Sequence, residues 1–408
     1  MSPLFPFQKP KRIYLDHAAA TPVDPRVMKQ MQLYWQEYFH NPHALYRESV
    51  HVHRDLEDLR DRVARILGTS STSVFFTGGG TESNNIALQG LVQQYRKNNP
   101  EVIPHIITTT IEHEAVFDQV KNLEEQGLIT ATYIPVSSDG LIDMALLKKS
   151  LRPETICVSV IYVHNEIGVI QPMREITQLV RWYKKQQGSH VYPLVHTDAI
   201  QAPLYVPIRP DTLGVDMMSF SSAKIYGPKG VGVVYVRNPK LVEPIVFGGG
   251  QESGLRSGTP NMPLIAGCVA ALEYAVHDQE RYATHLKELH DYFHAYLETK
   301  NIPDIRHNGS RIFRTHANVN ISCAGVMSEE LVIRMDARGI MCSSQSACSS
   351  DDDTSRIIEA LYGKEQDARM GSLRFTFGRS TTKKDLQKTI DVLVEIIHSI
   401  RANNQYFS

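Results

Sequence analysis

Over the first two-thirds of its 408 residues the chain alternates short apolar runs with longer amphipathic ones, and no other feature narrows the fold as far. Strand-like runs stand at 73–76, 105–109, 132–135, 155–163 and 192–197, and helix-like stretches at 83–97, 115–126, 144–149 and 173–186. Strands that alternate with helices predict βαβ units and a mainly parallel sheet covered on both faces. After about Met218 the pattern changes. Residues 227–236 read as a turn and then a strand of a hairpin, 248–258 is glycine-rich and patternless, and 261–300 reads as helix, most clearly over 270–297. The stretch 264–276 is apolar apart from Glu273 and fits a buried helix; no run is long enough to predict a membrane span. Strand-like segments at 317–322 and 373–378 and helix-like ones at 329–339 and 384–401 predict a smaller α+β domain. Segment 343–355, SSQSACSSDDDTS, is too polar to contribute to a core and predicts a mobile loop.

Charge then removes whole classes of function. Forty-three Lys and Arg against forty-four Asp and Glu exclude a polybasic nucleic-acid binder and an acidic tail as readings of the whole chain. Five cysteines (Cys157, Cys268, Cys323, Cys342 and Cys348) are too few for a disulfide scaffold. None forms a C-x-x-C pair, so no zinc or iron–sulfur site built from cysteine pairs is expected. The first twelve residues, MSPLFPFQKPKR, lack the apolar core of a secretory signal and the Ser/Arg richness of a transit peptide. The expectation is a protein of a reducing compartment, the cytoplasm, with at least one free thiol.

Three segments carry candidate chemistry. Thr77-Gly78-Gly79-Gly80-Thr81-Glu82-Ser83-Asn84 follows a strand and opens a helix, where backbone N–H groups and the helix dipole attract anions. It matches neither the P-loop nor the dinucleotide fingerprint. Asp198 ends the apolar run of Val195-His196-Thr197, at the sheet edge where open α/β folds place ligands. Lys224 sits among serines, Ala223 and aromatic residues after Met217-Met218, a setting that desolvates an amine and makes it a nucleophile toward carbonyls. Each also reads as ordinary structure: a glycine turn, a helix-capping aspartate, a surface-loop lysine. Together, in this order on an α/β fold, they match the needs of pyridoxal 5'-phosphate: a phosphate cradle, an acid for the ring nitrogen and a Schiff-base lysine. His113 could supply a flat ring to stack on it, although it also reads as a polar residue at a strand–helix junction.

The sequence resembles the group I cysteine desulfurases of the IscS/NifS type, within the class V aminotransferase superfamily of fold type I pyridoxal-phosphate enzymes. Matching segments run from Tyr14-Leu15-Asp16-His17-Ala18-Ala19 through Asn165-Glu166-Ile167-Gly168, Asp198-Ala199-Ile200-Gln201, Lys224-Ile225-Tyr226-Gly227 and Arg256-Ser257-Gly258-Thr259 to Arg374-Phe375-Thr376-Phe377-Gly378-Arg379. The resemblance implies that Lys224 is the Schiff-base lysine, that His113 stacks on the pyridine ring, and that Asp198 and Gln201 bond its nitrogen and phenolic oxygen. It implies Gly80, Thr81 and Ser221 around the phosphate, with Thr259 reaching in from the second subunit of a homodimer. Asn165 and Arg374 would bind the substrate carboxylate, Arg because its fork matches a carboxylate bidentately. Cys348, in Ser346-Ala347-Cys348-Ser349, fits the nucleophile that takes sulfur from L-cysteine as a persulfide and hands it to an acceptor protein, an iron–sulfur scaffold or a tRNA-thiolation relay. A large domain of residues 16–265, holding a seven-stranded type of sheet, and a small one of 1–15 plus 266–408 follow from the same likeness.

Three positions depart from the family. Ala223 replaces the usual His before the lysine, Gln345 replaces a usual Gly, and the C-terminal end lacks an apolar tail. Other reactions of the superfamily, aminotransfer or selenocysteine cleavage, and a non-catalytic scaffold that kept the fold, are the alternatives. Cys342, after Ile340-Met341, reads as buried and inert, and Cys157, Cys268 and Cys323 as core.

Overall fold

The computed structural model describes residues 12–344, 355–363 and 370–405. Strand β1 (Ile13–Tyr14) is followed by α1 (Pro25–Gln36) and α2 (Arg47–Leu67). Asp24 caps α1 by accepting the Arg26 N–H, and Pro25 occupies the first helical turn, where its missing N–H costs nothing. Helix α2 buries Val52, Leu56, Leu59, Val63 and Leu67, a stripe at helical spacing, and stops at Gly68 in the left-handed region (φ +68°).

The predicted alternation then unfolds in order: β2 (Val74–Thr77), α3 (Gly80–Asn98), β3 (His105–Thr109), α4 (Glu114–Glu125), β4 (Thr130–Ile134), α5 (Met144–Ser150), β5 (Thr155–Ser159), α6 (Met173–Gln186), β6 (Leu194–Asp198), the short α7 (Pro210–Leu213), β7 (Met217–Ser221) and β8 (Gly232–Val236). These strands form one seven-stranded sheet of order β2-β8-β7-β6-β5-β3-β4. Only β8 runs against its neighbours, so the sheet is mainly parallel. All of its strands except the edge strand β4 are buried along their whole length because helices cover both faces, which explains their continuous apolar runs. Strand β5 is shorter than the run 155–163 predicts: the chain leaves the sheet after Ser159, and Val163 instead bridges to Ile170.

The helical stretch expected over 261–300 is two helices, α8 (Met262–His277) and α9 (Gln279–Glu298), broken at Asp278. There Gln279 gives its side-chain amide to the carbonyls of Pro203 and Val206, which ties the break to the segment after β6. Helix α8 is apolar nearly all round and lies buried against α1 and α2. Beyond it come β9 (Ile305–His307), β10 (Asn318–Ala324), α10 (Ser328–Ala337), β11 (Ile340–Met341), α11 (Arg356–Tyr362), β12 (Met370–Thr376) and α12 (Lys383–Gln405). Strands β12-β10-β9 make an antiparallel sheet backed by α9, α10 and α12, while β1 pairs in parallel with β11. The first described residues are thereby sewn to the last part of the chain, and Asp16 bridges directly to Thr376. Among the described residues no helix is long and apolar enough to cross a membrane.

Candidate active site

A cavity of about 310 Å³ opens at the carboxyl ends of the large-sheet strands, where open α/β folds receive ligands. Gly80, Thr81, His113, Asn165, Asp198, Gln201, Ser221, Lys224 and Arg374 all line it, together with Ala18, Ala19, Ile161, Ile200 and Ala223. One cavity thus gathers side chains from both sheets and from the N-terminal segment.

Its anion-attracting end is the start of α3. Gly79 has φ +149°, a backbone state that side chains rarely adopt, and a Cβ on Gly80 would stand 2.2 Å from the Ile200 Cδ1. Glycine here lets the backbone face the cavity with the first-turn N–H groups that no helix satisfies internally. Thr77 Oγ1 holds the turn through Ser83 Oγ (2.7 Å) and the Gly79 carbonyl (3.1 Å). Thr81 and Ser221 bring hydroxyls to the same end.

Asp198 ends β6, 3% exposed. It accepts hydrogen bonds from Asn84 Nδ2 at 2.8 Å and the Ile200 N–H at 3.0 Å. Burial pushes its carboxyl up, while nearby His113 and these donors pull it back. A carboxylate so placed gains from one more donor in the cavity. His113 caps α4 by accepting the Ala115 N–H on Nδ1 at 3.0 Å, so its proton belongs on Nε2. Gln201 donates to the Ala18 carbonyl at 2.9 Å, and Lys224 Nζ to the Ala19 carbonyl at 2.5 Å. Lys224 stands in a short 3₁₀ turn directly after β7, followed by Tyr226 at φ +63°. Ala223 offers a methyl to the wall, so this position supplies no side-chain hydrogen bond to a ligand.

Across the cavity, Arg374 on β12 is 2% exposed. Its guanidinium donates to Asp16 Oδ1 at 2.7 Å and, less closely, to the Asn165 carbonyl at 3.4 Å. Its Nε is buried with no partner among the described residues. A buried guanidinium with unused N–H groups at a cavity wall is suited to a carboxylate.

One expected residue lies elsewhere. Thr259 is exposed and lines no part of this cavity within one chain. Cys348 and Gln345 lie outside the described residues. Cys342 needs a correction: it is partly exposed, not buried, although surrounding protein still pushes its thiol up to about 12. Cys268 and Cys323 are buried and pushed equally high, and Cys157 higher still, so none of these four is a ready thiolate.

The sequence reading gave no role to Asp16, Asn84 or Glu112. Glu112 is fully buried, accepts from Thr109 Oγ1 (2.6 Å) and the Ile161 N–H (3.0 Å), and leaves Oε2 without a partner among the described residues. Burial pushes its carboxyl up to about 8. The folded state therefore holds a proton that the unfolded state loses near its ordinary pKa, so this group removes stability as pH rises from about 4.5 to about 8. Glu112→Gln is expected to flatten that part of the profile and to gain on the order of a few kcal/mol relative to the parent at pH 8. Denaturant unfolding of both proteins from pH 5 to 8 checks it; parallel profiles would refute it.

The buried acid, the cradle at α3, the amine and the unsatisfied arginine fork suit pyridoxal phosphate and a carboxylate-bearing substrate, and the class is that of a fold type I pyridoxal-phosphate enzyme. The class-V aminotransferase family model matches residues 13–389. The cysteine desulfurase IscS of Dictyoglomus turgidum is 38% identical over 397 residues, 97% of each chain. A probable mitochondrial cysteine desulfurase of Dictyostelium discoideum is 39% identical over 95% of this chain and 84% of its own. Among solved structures, a NifS-like protein superposes with a TM-score of 0.86 at 30% identity, covering 95% of this chain and all of that one. SspA in complex with cysteine superposes at 0.76 and 29% identity, covering 90% of this chain and 99% of that one. The chain belongs to the class-V aminotransferase family, in its IscS/NifS-like group.

Proposed function

We propose that this protein is a cysteine desulfurase that converts L-cysteine to L-alanine and passes the sulfur through Cys348 to an acceptor protein. The observation that carries the reading is the buried Arg374, whose Nε has no partner among the described residues, on the same cavity as Lys224. A cofactor-bound amino acid needs both: an amine to exchange with and a fork to hold its carboxylate. When bound, pyridoxal phosphate supplies an electron sink for charge that develops at the substrate Cα.

The chain's own residues divide the remaining work. Gly80, Thr81 and Ser221 would hold the phosphate, Asp198 the ring nitrogen and Gln201 the phenolic oxygen, with His113 against the ring. Arg374 and Asn165 orient the substrate so that its Cα proton faces the Lys224 amine, which takes and returns it. Cys348 then attacks the substrate sulfur. An S–S bond forms as the Cβ–S bond breaks, the bonding pair stays with carbon, and carbon takes up a proton and leaves as alanine.

Thr259, exposed and away from the cavity of its own chain, suits a role in a homodimer, reaching the phosphate site of a second copy. The two-domain division at about residue 265 belongs to the same reading, with the pairing of β1 and β11 in its favour. A reducing compartment such as the cytoplasm would keep the Cys348 thiol available. Incubation of the cofactor-loaded protein with L-cysteine and a thiol reductant tests the proposal: alanine and sulfide should appear in equal amounts. Pyruvate or a keto acid in place of alanine would contradict it.

A further inference from the structure

A second cleft, of about 510 Å³, opens at the opposite edge of the large sheet, beside the start of β6 and the end of β8. Arg181, Lys184 and Lys185 from the last turns of α6 line one side, and Arg237 stands on the other. The two carboxylates of the cleft are already engaged. Asp216 accepts the Val195 N–H at 2.9 Å and lies 3.4 Å from Arg237, and Asp211 accepts from Arg237 at 2.7 Å. Arg181, Lys184 and Lys185 make no side-chain hydrogen bond or ion pair among the described residues. The carboxyl end of α6 offsets only part of three such charges.

The walls are fixed before any ligand arrives. Thr177 Oγ1 donates to the Leu213 carbonyl at 2.7 Å, tying α6 to α7, and Arg237 also donates to the Val215 carbonyl at 2.9 Å. Gly214, at φ +79°, leaves the space against which Arg181 rests: a Cβ there would stand 2.7 Å from Thr177 Oγ1 and 3.3 Å from the Arg181 Nη2. Lys184 is half-buried, and burial, reinforced by Arg181 and Arg237 against the pull of Asp216, holds its amine below the ordinary lysine range. An anion in the cleft would relieve that cost. His190 is the one ring among the lining residues, with no Phe, Tyr or Trp beside it to sandwich a base, so the cleft reads charge rather than a stacked base.

We propose that this cleft binds a small polyanion carrying two or more phosphate groups, at a site separate from the cofactor cavity. The inference is independent of the sulfur chemistry. It commits to a polyphosphate because the cations outnumber the engaged carboxylates and the volume exceeds what a single phosphate fills.

Calorimetric titration of the cofactor-loaded full chain with tripolyphosphate tests it, since the cofactor keeps its own phosphate cradle filled. Saturable binding of one tripolyphosphate per chain is expected, weakened at least about tenfold by Lys184→Ala, or about 1.4 kcal/mol, and further by the Arg181→Ala/Lys184→Ala pair. Arg54→Ala, which removes an exposed cation of α2, should leave it unchanged. Circular dichroism of each variant confirms folding. Inorganic phosphate should bind at least about tenfold more weakly. Binding that survives both variants, stoichiometry well above one that vanishes with modest salt, or equal affinity for inorganic phosphate would overturn the proposal.

Discussion

Lys224→Ala is expected to abolish alanine formation, with kcat falling at least about 10³-fold, because the variant loses both the nucleophile that carries the cofactor and the base that moves the Cα proton. The amine is held on the Ala19 carbonyl at 2.5 Å within the cavity, so no other described lysine can take its place without rebuilding the wall. The variant should still fold, since Lys224 lies in a half-exposed 3₁₀ turn after β7 rather than in the sheet. It should still bind cofactor through the α3 cradle and Asp198, but without the yellow absorbance of a lysine-linked cofactor. Lys224→Arg, which keeps the charge and loses the nucleophile, should behave the same way. An absorbance spectrum and an alanine assay decide it; retained turnover in either variant would remove Lys224 from the mechanism.

Arg374→Ala carries the second large effect. Loss of a charge-assisted, bidentate contact to the substrate carboxylate costs about 2–3 kcal/mol, so kcat/KM should fall by about two orders of magnitude while cofactor absorbance persists. Arg374→Lys should recover little, because an ammonium cannot span Asp16 and a carboxylate as the planar fork does. Removing the guanidinium also leaves Asp16 unpaired, which confounds stability with binding. Asp16→Asn separates them: it keeps Arg374 and an acceptor for its Nη2 but removes the competing carboxylate charge, so folding should survive while KM changes. Steady-state kinetics with thermal unfolding of all three variants checks this. If Arg374→Ala leaves KM for cysteine unchanged, the carboxylate binds elsewhere.

The large sheet was legible because its strands are buried on both faces and its helices are amphipathic, so the apolar period switches visibly at each boundary. Helices α1 and α2 were not read, although α2 carries a clear apolar stripe; α1 buries little beyond Val27 and Met31 and gives no such signal. The break at Asp278 was hidden because α8 is apolar all round and runs into α9 with no glycine or proline between them. Within the site, residues at a strand end or helix start, Gly80, Asp198 and Lys224, could be found from local pattern. Asp16 could not, because its partner Arg374 lies 358 positions away and β1–β11 pairing with the Asp16–Thr376 bridge brings them together. Glu112 was missed because nothing local distinguishes a fully buried carboxyl from its partly exposed neighbour Glu114 before the sheet closes over it.

Sulfur transfer to one thiol is the claim on which the functional reading stands. The direct measurement is mass spectrometry of the alkylated peptide that carries Cys348, taken after a brief reaction of the cofactor-loaded protein with L-cysteine and no reductant. The account predicts the added mass of one sulfur atom on Cys348, and loss of both the persulfide and catalytic turnover in Cys348→Ser with cofactor absorbance intact. Sulfur found instead on Cys342, or full alanine formation by Cys348→Ser, would contradict it.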